Sequence, residues 1–218
     1  MSKITRMIFV RHGESQGNLE RHFYGNFDKG LTDLGRAQAN AAGEYILENY
    51  KLDKAYASDL GRAYETGTII AAKQGLSPIP YVGVREIYAG IWEDMHFDEI
   101  AVVHEKEYSV WKTDIYNARP NEGEPVKDLC LRVRDAVWAI AEKNIGKTVL
   151  VATHATPIRS LVCEWNHVGY ECMKDFPWVM NASVSVIDYD IEAHTVTPVV
   201  IGEAGFMGEM KTTLPKNV

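Results

Sequence analysis

The chain has 218 residues, 46% of them hydrophobic and 24% charged, with a formal net charge of -7. This length and apolar content suit a single domain over 1–218 with a sizeable core, and the acidity argues against nucleic acid or an anionic membrane surface as a partner. No run reaches the roughly 20 apolar residues of a membrane-spanning helix, and residues 1–6 lead straight into a strand without a signal-peptide core, so a cytoplasmic protein is expected.

The first apolar run, Ile4, Met7, Ile8, Phe9 and Val10, is continuous from Met7 onward, which predicts a strand buried on both faces. It delivers Arg11 and His12 into a turn broken by Gly13. A guanidinium beside an imidazole seats an anion and disfavours protonation of the ring, leaving a lone pair to attack with. Taken alone, the pair reads better as ordinary loop residues. Thr32 reads as the N-cap of a helix to about residue 49, with Leu34, Ala37, Ala41 and Tyr45 toward the core. A short strand over 55–57 follows, then a helix over about 60–73 capped by Ser58 or Asp59. Arg62 falls in its first turn, where a helix N-terminus and a guanidinium together suit phosphate.

Between 88 and 121 the periodicity weakens and aromatic residues gather: Tyr88, Trp92, Phe97, Tyr108, Trp111 and Tyr116. This excursion reads as a cap over a site or as rings that pack it onto the body. Pro125 marks the first position of a helix ending near 146, with Val126, Leu129, Val133, Val137 and Ile140 at helical steps. A second buried strand over 148–152 ends at His154, and Thr156 and Pro157 read as the N-cap and first residue of a helix to about 168. His154 thus repeats the placement of His12. In an open parallel sheet with helices on both faces such strand ends share one edge, so His12, His154 and Arg62 can converge. Strands over 183–189 and 195–201 read as a hairpin extending the sheet. From 205 onward there is no periodicity. Cys130, Cys163 and Cys172 are too few and too irregular for a disulfide framework, and Cys163, His167 and Cys172 match no standard zinc spacing.

Five spaced groups occur in order: Arg11-His12-Gly13-Glu14-Ser15 with Asn18; Leu31-Thr32 with Gly35; Ser58 to Thr66; Glu86 with Gly90 and Trp92-Glu93; and Thr153-His154-Ala155. Over about 7–159 this pattern resembles the histidine phosphatase (phosphoglycerate mutase-like) superfamily. The resemblance implies an α/β fold, a three-layer sandwich with a mostly parallel central sheet flanked by helices, with 88–121 as a small cap. It implies a phosphatase that hydrolyses a small-molecule phosphate monoester through a phosphohistidine, without cofactor or metal. His12 is then the nucleophile. Arg11, Arg62 and a protonated His154 hold the phosphoryl group, and Asn18 and the Ala155 amide add hydrogen bonds. Glu86 is the acid for the leaving group and then the base for water.

The chain departs from the family where Asp59 replaces a common Pro, Ala155 a common Gly, and Pro125 the Ser of a Gly-Glu-Ser; none of these removes a charge from the proposed site. Outside the pattern, Glu86 reads more plainly as a partner for Arg85 or Arg62. Glu14 and Ser15 read as orienting the loop, and His22 is near enough to it to reach substrate. A phosphoglycerate mutase is the first alternative and a non-catalytic phospholigand-binding module the second. The second would be expected to lack His12 or Glu86. A mutase needs cations for a carboxylate, and between 88 and 121 three basic residues, Lys106, Lys112 and Arg119, face seven acidic ones. That balance favours the phosphatase and leaves the ester and the oligomeric state open.

Overall fold

In the computed structural model, which describes residues 3–212, strand β1 (Ile4–Arg11) leads into the short helix α1 (Gln16–Glu20) and then α2 (Asp33–Asn49). Next come β2 (Lys54–Ala57), α3 (Gly61–Ala72) and the two-residue β3 (Ile79–Pro80). The excursion holds α4 (Phe97–Val103) and α5 (Glu105–Thr113). Then follow α6 (Val126–Glu142), β4 (Thr148–Thr153), α7 (Ala155–Trp165), β5 (Val184–Asp190) and β6 (Thr195–Glu203).

One six-stranded sheet has the order β3-β2-β4-β1-β5-β6. The first four strands are mutually parallel, whereas β5 runs antiparallel to β1 and β6 antiparallel to β5. The continuous apolar run of β1 is explained by its two buried faces. Met7 and Phe9 join a core with Leu129, Val133 and Val137 of α6 and Leu161 and Trp165 of α7. Ile8 and Val10 join the opposite core with Ala42 and Ile46 of α2 and Ile70 and Ala71 of α3. Helices therefore cover both faces, as the sequence implied.

Four local expectations are corrected. The buried face of α2 is Gly35, Gln38, Ala39, Ala42, Gly43 and Ile46, while Leu34 is exposed. Small residues win because α2 lies closely against α3: a Cβ on Gly43 would meet the Lys73 side chain at 2.7 Å. The N-cap of α3 is Leu60, and the carboxylate that receives the Arg62 backbone N–H (2.9 Å) belongs to Asp28, remote in sequence. Pro125 is an N-cap and not the first helical residue. His154 is the N-cap of α7, which starts at Ala155 and ends at Trp165, placing Pro157 inside the first turn.

Of the tail, a 3-10 stretch, Gly205–Met210, buries Met207 against the α2 side, and Gln38 Nε2 donates to the Met210 carbonyl (2.7 Å). Residues 213–218 lie outside the described residues. In the excursion, Trp92, Tyr108 and Trp111 are buried, and Phe23 meets Trp111, Trp92 and Phe97 edge-on or tilted at 5.2–5.8 Å. Most of its rings do pack it onto the body, but Phe97 and Trp111 also line the cleft described next.

Candidate active site

Register alone brings the two histidines together. Arg11 of β1 pairs with Thr153 of β4, so the residues one step beyond, His12 and His154, emerge side by side at the C-terminal ends of neighbouring parallel strands. The His12 N–H donates to the Thr153 carbonyl (2.9 Å), and the imidazole centroids are 5.2 Å apart. The loop after His12 presses against the start of α2: a Cβ on Gly13 would meet the Gly35 carbonyl at 2.2 Å, and one on Gly35 the Glu14 carbonyl at 2.0 Å. Only glycine fits either position.

His12 Nδ1 lies 2.7 Å from the Gly13 carbonyl, which can only accept, so the ring proton sits on Nδ1 and Nε2 keeps its lone pair. Arg62 Nε points at that lone pair from 3.3 Å. Burial, then Arg62, then Arg11 hold the His12 pKa well below its ordinary 6.5, against the hydrogen bond to Gly13. His154 Nε2 lies 2.7 Å from Ser58 Oγ. That hydroxyl also accepts from the Leu60 N–H (3.3 Å) and can either donate to Nε2 or accept from it; where it donates, the ring proton sits on Nδ1. Burial and the same cations hold His154 well below 6.5 as well. With two guanidiniums already in a dry site, protonation of this ring is disfavoured, so the protonated His154 expected from the sequence calls for an anion beside it to offset the charge.

Arg62 is fully buried at 1% exposure, and its guanidinium donates to the carbonyls of Tyr24 (2.9 Å), Gly25 (2.8 Å) and Phe27 (3.1 Å), with Asp28 at 3.3 Å. Arg11 Nη1 donates to the Val179 carbonyl (2.7 Å), and burial pushes its pKa down to about 10. Among the described residues, Arg11 Nε and His154 Nδ1 are buried without a hydrogen-bond partner. An unpaired guanidinium N–H in a dry pocket is costly and is relieved by an anion.

Glu86 is buried and lines the same cleft; Oε1 accepts from the Ile87 N–H (2.8 Å) and Oε2 from the Thr156 N–H (3.2 Å) at the start of α7. Desolvation raises its pKa above the ordinary 4.5, opposed by those bonds and by Arg62. The plainer partner reading fails for Arg85, which binds Asp59, the residue that replaces the family's Pro, through two short bonds. Arg62 likewise pairs with Asp28 and reaches Glu86 only through space.

Asn18 and Ala155 line the cleft too, as do His22 and Thr156. Asn18 Oδ1 accepts from Ser15 N–H, Ser15 Oγ and Asn181 Nδ2, so its amide NH2 is the end left for a ligand. His22 Nδ1 is 3.0 Å from Asp94. Among the described residues, Glu20, His22 and Asp94 form the one cluster close enough to grip a cation, and the Lys29 ammonium already bonds both Glu20 (3.3 Å) and Asp94 (3.5 Å).

Several contributors were not legible in the sequence. Asn181, buried in the segment before β5, donates to the His12 carbonyl (3.1 Å) as well as to Asn18, and accepts from Thr212 Oγ1 (3.0 Å). Thr66 Oγ1 receives the Gly13 N–H (3.1 Å) and donates to the Arg62 carbonyl (2.7 Å). Trp178 forms part of the cleft wall. Thr66 was at least within a quoted motif; Asn181 and Trp178 lie beyond all of them and carry no local signal.

At its parallel strand ends the α/β sheet presents two histidines held below their ordinary pKa, two buried arginines and a carboxyl raised above its own, a set suited to an anionic group. The family model of the histidine phosphatase superfamily (branch 1) matches residues 7–200, and the chain belongs to that superfamily. It is 34% identical over 159 residues to phosphoglycerate mutase-like protein 4 of Arabidopsis thaliana, covering 72% of this chain and 69% of that one. It is 28% identical over 185 residues to phosphoserine phosphatase 1 of Hydrogenobacter thermophilus, covering 84% and 86%. The structure of Bacillus stearothermophilus YhfR superposes with a TM-score of 0.87 at 28% identity, covering 93% of this chain and 99% of that one.

Proposed function

We propose that this protein is a metal-independent phosphatase of the cytoplasm that hydrolyses small-molecule phosphate monoesters through phosphorylation of His12. The observation that carries the reading is the Nδ1 bond of His12 to the Gly13 carbonyl, which aims an unprotonated Nε2 into a cleft lined by Arg11, Arg62 and Glu86. In the first step the Nε2 lone pair attacks phosphorus as the ester P–O bond breaks, and the Glu86 carboxyl gives its proton to the departing alkoxide. Arg11, Arg62 and His154 Nδ1–H take the equatorial oxygens, with Asn18 and the Ala155 amide completing the shell. A phosphoryl oxygen that draws Arg62 Nε–H toward itself also frees the His12 Nε2 lone pair that Arg62 faces. In the second step Glu86 carboxylate removes a proton from water, the water oxygen bonds to phosphorus, the P–N bond breaks, and inorganic phosphate leaves. Positive charge comes from the two arginines, so no step calls for a metal.

Residues 88–121 act in this reading as a cap on a single domain, contributing Phe97 and Trp111 to the cleft. Hydrolysis is favoured over mutase-type transfer because, among the described residues, Arg11 and Arg62 are the only Lys or Arg residues lining the cleft. Both are engaged at the phosphoryl end, which leaves no cation for a second anionic group. Rapid quenching during turnover, without acid, is the test. An acid-labile phosphoryl group is expected on wild type and not on His12→Ala; a label on Ser15 or a cysteine would overturn the assignment.

A further inference from the structure

Resting on that reading, we propose that the preferred esters carry their phosphate on an uncharged alcohol with a flat ring close to the ester oxygen. The cleft opens to solvent beyond the phosphoryl end, and its aromatic walls are Phe23, Tyr24, Phe97, Trp111 and Trp178. Trp111 and Trp178 lie nearly parallel, 21° apart with centroids 6.4 Å apart, and Phe23 braces Trp111 edge-on at 5.2 Å. Rings packed in this way form a stiff apolar wall, which suits a flat ligand with little entropy left to lose.

The charges nearby point the same way. Arg21 is paired with Asp98, and Lys29 with Glu20 and Asp94. Arg159 lies over the Trp178 ring at 4.2 Å and donates to the Met173 carbonyl (2.9 Å), and it is not part of the cleft lining. A carboxylate or second phosphate on the leaving group would meet aromatic faces. Desolvating such a charge without a partner disfavours it, whereas a neutral ring loses only water from its faces. The wall is also joined to the chemistry: Trp178 precedes Val179, whose carbonyl holds Arg11.

The test compares benzyl phosphate with ethyl phosphate, phosphoserine and 3-phosphoglycerate, all with alkoxide leaving groups, so that a better leaving group does not mimic better binding. kcat/KM for benzyl phosphate is expected to exceed each of the others by at least about tenfold, the scale on which apolar pockets discriminate. Trp178→Leu and Phe97→Leu should each lower the ratio of benzyl to ethyl kcat/KM. Independently of turnover, benzylphosphonate should bind wild type more tightly than methylphosphonate by calorimetry. Equal kcat/KM values, a preference for phosphoserine or phosphoglycerate, or equal phosphonate affinities would overturn the proposal while leaving the phosphatase reading intact. Selective benzylphosphonate binding with no hydrolysis of any ester would support the ligand class and overturn hydrolysis.

Discussion

Glu93 and Arg62 hold the same loop by opposite ends of its peptides. The Glu93 carboxylate accepts the N–H groups of Gly25 (3.1 Å), Asn26 (2.8 Å) and Phe27 (2.9 Å), together with Ala89 (3.0 Å), while Arg62 donates to the carbonyls of Tyr24, Gly25 and Phe27. The arginine facing His12 is therefore positioned by a carboxylate that bonds neither of them. Glu93→Gln places an NH2 among backbone donors and leaves at least one of them unpaired. A stability loss of about 1–3 kcal/mol is expected from chemical denaturation. Misplacing Arg62 should also lower kcat by up to about hundredfold. Lost stability with unchanged kcat would mean that the loop is anchored without Glu93.

Arg62 and His154 are proposed to act on the phosphoryl group itself, so their loss should be felt whichever alcohol leaves. Arg62→Lys and His154→Gln should each cost about 2.7–4 kcal/mol of transition-state stabilisation, on the order of hundredfold or more in kcat/KM. The lysine variant keeps the charge but cannot span three carbonyls and His12 Nε2. Comparable rates for wild type and both variants would assign the two residues to packing.

Glu86→Gln separates acid catalysis from binding. A sugar or benzyl alkoxide needs a proton as its bond breaks, whereas p-nitrophenolate departs largely unaided. In single-turnover phosphorylation the variant should therefore lose far more activity on benzyl phosphate than on p-nitrophenyl phosphate, and restricting the measurement to this step removes any contribution from water activation. Equal losses on both esters would mean that Glu86 only maintains the site.

Phosphorylation needs neutral His12 and protonated Glu86, so kcat/KM should trace a bell. Its acid limb reports His12, displaced below 6.5 by burial and the arginines, and its alkaline limb Glu86, displaced above 4.5 by burial. Glu86→Gln should abolish the alkaline limb. The same shifts act on folding. His12 and His154 bind protons more readily unfolded than folded, so as pH falls below 6.5 they withdraw stability, down to their folded pKa values. Glu86 has the opposite sign: its folded state holds the proton longer, so stability is added as pH falls through its raised pKa, is fully present below the unfolded value near 4.5, and is lost as pH rises through the folded pKa. Thermal unfolding from pH 7 to 5 should show a smaller loss of Tm in His154→Gln than in wild type. An equal loss would assign the acid sensitivity to other groups.

Much was legible in local pattern. The unbroken apolar runs at Met7 and Val149 announced strands buried on both faces, because alternation disappears when neither face meets water. Strand ends followed by a turn then placed His12 and His154 on one edge, and spaced motifs nominated Arg11, Asn18, Arg62, Glu86 and Ala155, all of which line one cleft with His12. Tertiary structure decided what depends on distant partners. The cap of α3 comes from Asp28, the buried face of α2 was set by close approach to α3, and Asn181 reached His12 from 169 residues away. The charge on His154 was decided in the same way. An imidazole titrates near 6.5 in water, and only the fold supplied the burial and the two guanidiniums that disfavour its protonation. Sequence fixes which groups are present and which local geometry they favour, whereas desolvation and through-space charge exist only once remote segments have excluded water between them.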